Sequence, residues 1–272
     1  MRPRERAGGN GGRSAVLLLL LGTACMWTPP QYSFTPDEEV ELGLTVAEQL
    51  NRSLPFVADT GVLALIQGVG DGLAGQIGRA RRAFELRVVD RGSVNAFSLP
   101  GGFIYMNRGL IEATKNMAEI AGVISHEMAH VIAGHSAERV VHARRTRLGL
   151  TVSPAGTGDL GGVIFFANHH RLAEAEADSL AVGLMIDAGW DPAGLVSFFQ
   201  SMLWLREHRP GAVQEPFLSH PRLEDRIENV RRIIEQIPEE RRRGLRMFTL
   251  EYEVMKRALA GLPTTGWNAA AR

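Results

Sequence analysis

A proline-free stretch from Asn116 to Arg147 places the strongest constraint on this chain. Its apolar residues recur at helical spacing and predict a helix (Ile120, Val123, Ile124, Met128 and Val131). The same stretch contains His126, Glu127 and His130. Residues four apart face the same side of a helix, so the two imidazoles point to one place and could hold one metal ion. Glu127 points beside them and could act on a water molecule there without binding the ion itself. The alternative is a pair of histidines that are hydrogen-bonded or exposed without a metal.

A catalytic zinc site of this type needs a third protein ligand and leaves one position for water. In one arrangement the motif continues to a glycine and a third histidine, but those positions hold Ala133 and Ser136. His135 is one residue short of the required place, so we expect it on the surface or behind a ligand.

The other arrangement takes a carboxylate from a later helix. Glu174 and Asp178 are four residues apart in a stretch of helix formers and share a face, whereas Glu176 points elsewhere. One of the two carboxylates could bind the ion while the other orients a ligand histidine through its second nitrogen. The alternative for these acids is a solvated helix face.

The N-terminus differs from the rest of the chain. Residues 1–24 begin with arginines among glycines, continue with an apolar run from Ala15 to Leu21, and end in small residues before Cys25, the only cysteine. This order predicts a signal peptide of the lipoprotein type. A membrane-spanning helix is not expected, because seven apolar residues are too few to span a bilayer, which needs about 20. Cys25 then either receives lipid or lies incidentally in the leader. We expect an exported, periplasmic protein that is attached to the outer membrane through this cysteine.

The remaining sequence predicts one α+β, mostly helical domain. We expect a linker at 25–36, a single domain at 37–262 and a tail at 263–272. Thr35 and Pro36 predict the start of a helix, whose apolar residues at helical spacing indicate its buried face (Val40, Leu44, Ala47 and Leu50). Alternating residues at 84–89, 95–99 and 103–106 predict a small antiparallel or mixed sheet. The uncharged stretch 148–167 favours a loop leading into a buried helix over a membrane-inserted hairpin.

Charge excludes one class of function. Lysine and arginine together number 30, as do aspartate and glutamate, so the formal net charge is zero. Nucleic-acid binders usually carry a net basic balance. We therefore expect no nucleic-acid partner.

Four motifs in the right order resemble those of the zinc metallopeptidase family that includes the CAAX prenyl proteases, the HtpX heat-shock proteases and the periplasmic BepA-like proteases. They are the His126–His130 motif, the Glu174–Asp178 helix, the strand segment Asn95–Ile111 and the His-Pro segment Leu218–Arg226. The resemblance implies a zincin (gluzincin) catalytic domain with its small sheet beside the motif helix. It further implies one zinc ion per chain with the following residues: ligands His126, His130 and Glu174, Asp178 orienting a ligand histidine, and Glu127 as the general base that activates the zinc-bound water.

The resemblance leaves His220 with two functional roles. It either stabilises the tetrahedral oxyanion or occupies the open position of the zinc. From the sequence alone, the histidine could instead cap a helix that begins at Pro221.

The resemblance also implies an endopeptidase that acts on unfolded or misfolded envelope proteins. The alternative is a periplasmic chaperone or assembly factor whose protease site is latched or rarely used. An extended substrate is expected to add to the edge of the sheet near 103–107.

Overall fold

The computed structural model describes residues 34–77, 83–141, 171–209 and 223–263 of the 272-residue chain. The predicted signal peptide, Cys25, the stretch 148–167 and His220 lie outside these residues. The described elements are, in chain order, α1 (Pro36–Ser53), α2 (Thr60–Ala74), β1 (Glu85–Val89), β2 (Ala96–Leu99), a 3-10 turn (Pro100–Gly102), β3 (Phe103–Asn107), α3 (Arg108–Ala113), α4 (Met117–Ile132), α5 (Arg171–Asp187), α6 (Ala193–His208), α7 (Leu223–Glu235), α8 (Glu239–Arg242) and α9 (Leu250–Gly261). The predicted α+β, mostly helical fold is confirmed. None of the helices in the described ranges combines the length and the apolar character needed to cross a membrane.

The three strands form one mixed sheet in the order β1-β3-β2. β1 runs parallel to β3, with Glu85 opposite Phe103, and β2 runs antiparallel to β3, with Ala96 opposite Met106. β3 is therefore the central strand, with a neighbour on each side. The prediction that a substrate adds to the sheet edge near 103–107 is wrong, because the backbone hydrogen-bonding groups of a central strand are already paired.

The outer edge of β1 is closed by other parts of the chain. The side-chain amide of Gln67 on α2 donates to the carbonyl of Phe84 at 2.9 Å and accepts from the backbone N–H of Leu86 at 3.1 Å. Further along the strand, the N–H of Val57 donates to the carbonyl of Val88 at 2.9 Å. A glutamine side chain and an extended segment thus provide the hydrogen bonds that another strand would make.

Helix α1 begins where the sequence predicts, but it buries only half of the predicted face, Ala47 and Leu50. Thr35 caps the helix, and its side chain and that of Glu38 bond each other's backbone N–H groups. Val40 and Leu44 are 42% and 45% exposed, whereas the buried face is formed by Leu42, Gly43, Val46, Ala47 and Leu50. The reason lies in Gly43, since a Cβ added there would lie 1.8 Å from the carbonyl oxygen of Pro100. The helix can approach the turn before β3 only along its glycine face.

Helix α4 occupies the centre of the molecule. All of its residues except the last, Ile132, are buried, and it packs against α5, α6 and the strands. Its contact with α6 is close, because a Cβ added at Gly194 would lie 2.5 Å from the backbone of Ala118. The polar side chains of α4 are therefore held in a closely packed interior.

Candidate metal centre

The two motif histidines are held on α4, a helix whose start is fixed by its own sequence. The side chain of Asn116 accepts a hydrogen bond from the backbone N–H of Glu119 at 2.9 Å, which caps the helix. One turn apart, His126 and His130 are both buried, and their Nε2 atoms are 3.0 Å from each other. The helix thus directs two imidazole nitrogens to one point in the interior.

Glu174 on α5 brings a carboxylate to the same point. One of its oxygens lies 3.4 Å from Nε2 of His126, and the other lies 3.3 Å from Nε2 of His130. Its side chain is 1% exposed. Within the described ranges, these three residues are the one group of three or more potential ligands whose donor atoms converge closely enough to hold a metal ion.

The spacing of the three donors fits a tetrahedral metal ion. Zinc binds imidazole nitrogen and carboxylate oxygen at about 2.0–2.2 Å, so two tetrahedral ligand atoms are separated by about 3.3–3.6 Å. The observed separations of 3.0, 3.4 and 3.3 Å lie close to that range. Two imidazoles and one carboxylate are also the donor set of many catalytic zinc sites, which leave the fourth position open.

The carboxylate of Asp178 contacts Nδ1 of His126, the ring nitrogen that does not face Glu174 and His130. One turn after Glu174 on α5, its Oδ1 lies 3.0 Å from Nδ1 of that histidine, and its side chain is 0% exposed. Burial raises the pKa of Asp178, but the charge of Arg226 and a hydrogen bond to His126 outweigh burial and lower it below its usual value. The carboxylate is therefore ionised, and it can fix the ring orientation of His126.

Arg226 on α7 completes this part of the site, and we did not predict its role from the sequence. Its guanidinium donates to Oδ1 of Asp178 at 2.6 Å and to Oδ2 at 2.9 Å. It also lies 3.3 Å from a carboxylate oxygen of Glu174 and stacks on the ring of Phe199, with 4.1 Å from the guanidinium carbon to the ring centroid. A sequence pattern could have revealed it, because Arg226 lies on the apolar face of α7 (Leu223, Ile227 and Val230). An arginine on a buried stripe requires a buried acid as its partner.

The surroundings shift the pKa values of the two motif histidines in opposite directions. Burial and the charge of Arg226 lower the pKa of His126, but hydrogen bonds to Asp178 and Glu174 outweigh both effects and raise it to about 9. Burial lowers the pKa of His130 well below its usual value. Metal ions bind neutral imidazoles, so binding would displace the proton that His126 holds.

Glu127 directly follows His126 on α4, and its side chain is buried. The guanidinium of Arg139 lies close enough for the charges of Glu127 and Glu174 to raise its pKa, although burial lowers it more. Arg139 also donates to the backbone carbonyl of Ser98 on β2 at 2.5 Å. The helical segment 135–141, which follows α4, is thus tied to the sheet. The role of His220 stays a prediction, because that residue lies outside the described ranges.

Comparison with known proteins gives the same picture. The model of peptidase family M48 matches residues 64–234. The beta-barrel assembly-enhancing protease of Yersinia pestis is 26% identical over 212 residues, which cover 72% of this chain and 43% of that protein. The mitochondrial metalloendopeptidase OMA1 of Schizosaccharomyces pombe is 32% identical over 164 residues, covering 57% of this chain and 47% of that protein. The metalloprotease LoiP of Escherichia coli K12 is 31% identical over 149 residues, covering 51% of this chain and 58% of that protein.

The chain thus spans under two thirds of the length of each of these relatives. The family match, in contrast, covers well over half of the chain and includes α4, α5 and the described part of α7 up to residue 234. It contains all of the residues that form the His-His-Glu cluster and its Asp178–Arg226 support. The chain belongs to peptidase family M48.

Proposed function

We propose that this chain is a zinc-dependent metalloendopeptidase of the bacterial cell envelope. The observation that carries the proposal is the convergence of His126, His130 and Glu174 in the interior, with donor separations that suit one tetrahedral ion. Family membership supports hydrolysis of peptide bonds, as do two relatives, one named as a metalloendopeptidase and one as a metalloprotease.

Each residue of the site has a chemical task in this proposal. A zinc ion, when bound, polarises the scissile carbonyl and lowers the pKa of water towards 7. Glu127 accepts the proton of the attacking water and passes it to the leaving amine. Asp178 and Arg226 keep the ring of His126 in one orientation. His220, by resemblance to the family, either stabilises the oxyanion or occupies the open position of the metal.

An extended substrate would lie along β2 rather than β3. The N–H of Asn107 donates to the carbonyl of Asn95, so in an antiparallel pair the peptide groups of Ala96 and Ser98 point away from β3. The carbonyl of Ser98 accepts a hydrogen bond from Arg139, and a substrate strand would have to replace that contact. β2 also packs against α4, the helix that carries Glu127. Backbone pairing of this kind favours unfolded polypeptide and relaxes sequence specificity. Cleavage sites mapped on a denatured protein should therefore share little side-chain preference.

The compartment and the substrates are further parts of the proposal. Residues 1–24 have the order of a lipoprotein-type signal peptide, which supports export to the periplasm and attachment to the outer membrane through Cys25. A single domain at 37–262 would then follow a short linker. Two relatives named as beta-barrel assembly-enhancing proteases support misfolded or unassembled envelope proteins as substrates. Radioactive palmitate should label the wild-type chain but not Cys25→Ser.

The word "assembly" in those names also supports a second candidate, a periplasmic assembly factor that rarely cleaves. The two functions differ in what they require of Glu127. A binding protein has no use for a general base, so envelope assembly that continues undiminished in Glu127→Gln cells would favour the second candidate.

The decisive experiment measures cleavage of casein by the purified full chain together with its metal content. Wild type should bind about one zinc ion per chain and cleave casein. Glu127→Gln should keep its zinc and lose cleavage by at least roughly a hundredfold, whereas a chelator should remove both and added zinc restore both. The matched control is Glu48→Gln, on the exposed side of α1, which should behave as wild type. A folded wild-type chain that binds no zinc would disprove the proposal.

A further inference from the structure

The Nδ1 atoms of the two motif histidines contact different partners. The outer nitrogen of His126 meets the ionised, fully buried carboxylate of Asp178. The outer nitrogen of His130, Nδ1, instead lies 3.1 Å from Nδ1 of another histidine, His135. Nε2 of His135 in turn lies 3.4 Å from a carboxylate oxygen of Glu176, whose side chain is 41% exposed. A chain of contacts therefore runs from the metal centre to the protein surface.

Local backbone structure produces this chain of contacts. Helix α4 ends at Ile132, and Gly134 adopts a φ of 80°, which favours glycine and lets the chain reverse direction. His135 then begins the helical segment 135–141 with its ring against that of His130, at 5.2 Å between centroids. Glu176 lies two residues after Glu174 on α5, so one helix carries both a candidate ligand and the end of the chain of contacts.

Hydrogen-bonding rules leave one consistent set of ring protons. Because Nε2 of His130 points to the other two donors, that atom would bind the metal ion, and the proton of the ring would then sit on Nδ1. Nδ1 of His135 must then accept that hydrogen bond, which puts the proton of His135 on Nε2. This proton faces the carboxylate of Glu176, an acceptor. Each atom in the sequence His130–His135–Glu176 thus has a matching partner.

We propose that His135 is a positioning residue for the metal ligand His130 and that Glu176 anchors it. His135 fixes the tautomer and the ring orientation in which Nε2 of His130 binds zinc. This inference rests on the proposed function, because it concerns how one ligand of the proposed zinc site is held. The partner of a ligand histidine is usually a carboxylate, a backbone carbonyl or water, whereas here the neighbour of Nδ1 of His130 is a second histidine.

The test is zinc affinity, measured on the purified full chain by competition with a chromophoric chelator. His135→Ala should weaken zinc binding by roughly 10–100-fold, the usual effect of removing such a partner. His135→Asn should recover most of the loss, because its side-chain oxygen can accept the hydrogen bond from Nδ1 of His130. Glu176→Gln should weaken binding by less than His135→Ala, since glutamine retains an acceptor oxygen at a half-exposed position. The matched controls, His208→Ala and Glu48→Gln, alter exposed residues and should bind zinc as wild type does.

Nitrogen-15 spectra of the histidine rings give a second measurement that a merely structural role would not affect. The zinc-loaded wild type should show the proton on Nδ1 of His130 and on Nε2 of His135. In His135→Asn the tautomer of His130 should be kept.

The proton on Nδ1 of His135, or wild-type zinc affinity in His135→Ala, would overturn the inference. In that case Glu127→Gln would still lose cleavage, and the proposed function would stand. A wild type without zinc would overturn both.

Discussion

Substitution of Arg226 by methionine should destabilise the protein strongly. The variant loses two charge-assisted hydrogen bonds, at 2.6 and 2.9 Å, to Asp178, whose side chain is 0% exposed. A hydrogen bond to a charged group contributes about 1.5–3 kcal/mol, and removing one partner of a buried ion pair costs about 3–5 kcal/mol. Methionine keeps much of the contact with Phe199, so the loss is mainly electrostatic. We expect the free energy of unfolding to fall by about 3–5 kcal/mol.

Urea unfolding followed by tryptophan fluorescence measures this change. A chelator in the buffer removes any contribution of metal binding to the folded state. The matched control is Arg232→Met on the same helix, because Arg232 pairs with Glu228 at 3.8 Å while the two side chains are 59% and 77% exposed. Such a surface pair contributes at most about 1 kcal/mol. The double variant Arg226→Met, Asp178→Asn should be more stable than the sum of the two single effects predicts.

If Arg226→Met and Arg232→Met lower the free energy of unfolding equally, the guanidinium of Arg226 does not compensate the buried charge of Asp178. If Arg226→Met is destabilised but the double variant shows strict additivity, the loss comes from packing against Phe199 and not from the ion pair.

Three further predictions concern the scaffold. Gly43→Ala should destabilise the protein by about 1–3 kcal/mol or more, because the new Cβ would lie 1.8 Å from the carbonyl oxygen of Pro100. Gly68→Ala should instead stabilise the protein by about 0.5–1 kcal/mol in the same urea experiment, because no atom lies within 4 Å of its new Cβ. Burial raises the pKa of Tyr105 to about 12, so its phenol stays protonated in the folded chain at a pH where it ionises in the unfolded chain. The contribution of Tyr105 to the free energy of unfolding is therefore complete below pH 10 and declines by up to about 1.4 kcal/mol per pH unit towards pH 12. If the free energy of unfolding of Tyr105→Phe declines equally steeply over this range, the prediction is wrong. Gln67→Leu should lower stability by about 1–3 kcal/mol and increase light scattering, because two backbone groups of the β1 edge lose their partner; unchanged scattering would argue against an exposed edge.

Local patterns explain what the sequence predicts correctly. The spacing of His126 and His130 fixes a shared helix face, and the capping residue Thr35 fixes the first turn of α1. The three strands follow from alternation over a few residues, because side chains on a strand alternate between its faces. The pairing of Glu174 with Asp178 on one face of α5 likewise follows from their spacing of four residues in a helix.

Contacts between distant segments explain what the sequence does not predict. The buried face of α1 depends on how Gly43 meets Pro100, a residue from a different element. The central position of β3 depends on strand order, which alternation does not encode. Arg226 lies 100 residues after His126, and its partner becomes evident only once α5 and α7 pack together. His135 could be placed on the surface or behind a ligand, and only the turn at Gly134 decides between the two.

If the chain acts on unfolded polypeptide, as proposed, the closed edge of β1 has a consequence. An unfolded polypeptide can pair with an open strand edge, and an open edge on β1 would let unfolded segments stack onto the sheet. With the amide of Gln67 and the segment at Val57 covering β1, such stacking has no starting point on that side. The edge closure would therefore protect against co-aggregation, and it is achieved with one side chain and a short extended segment in place of a further strand.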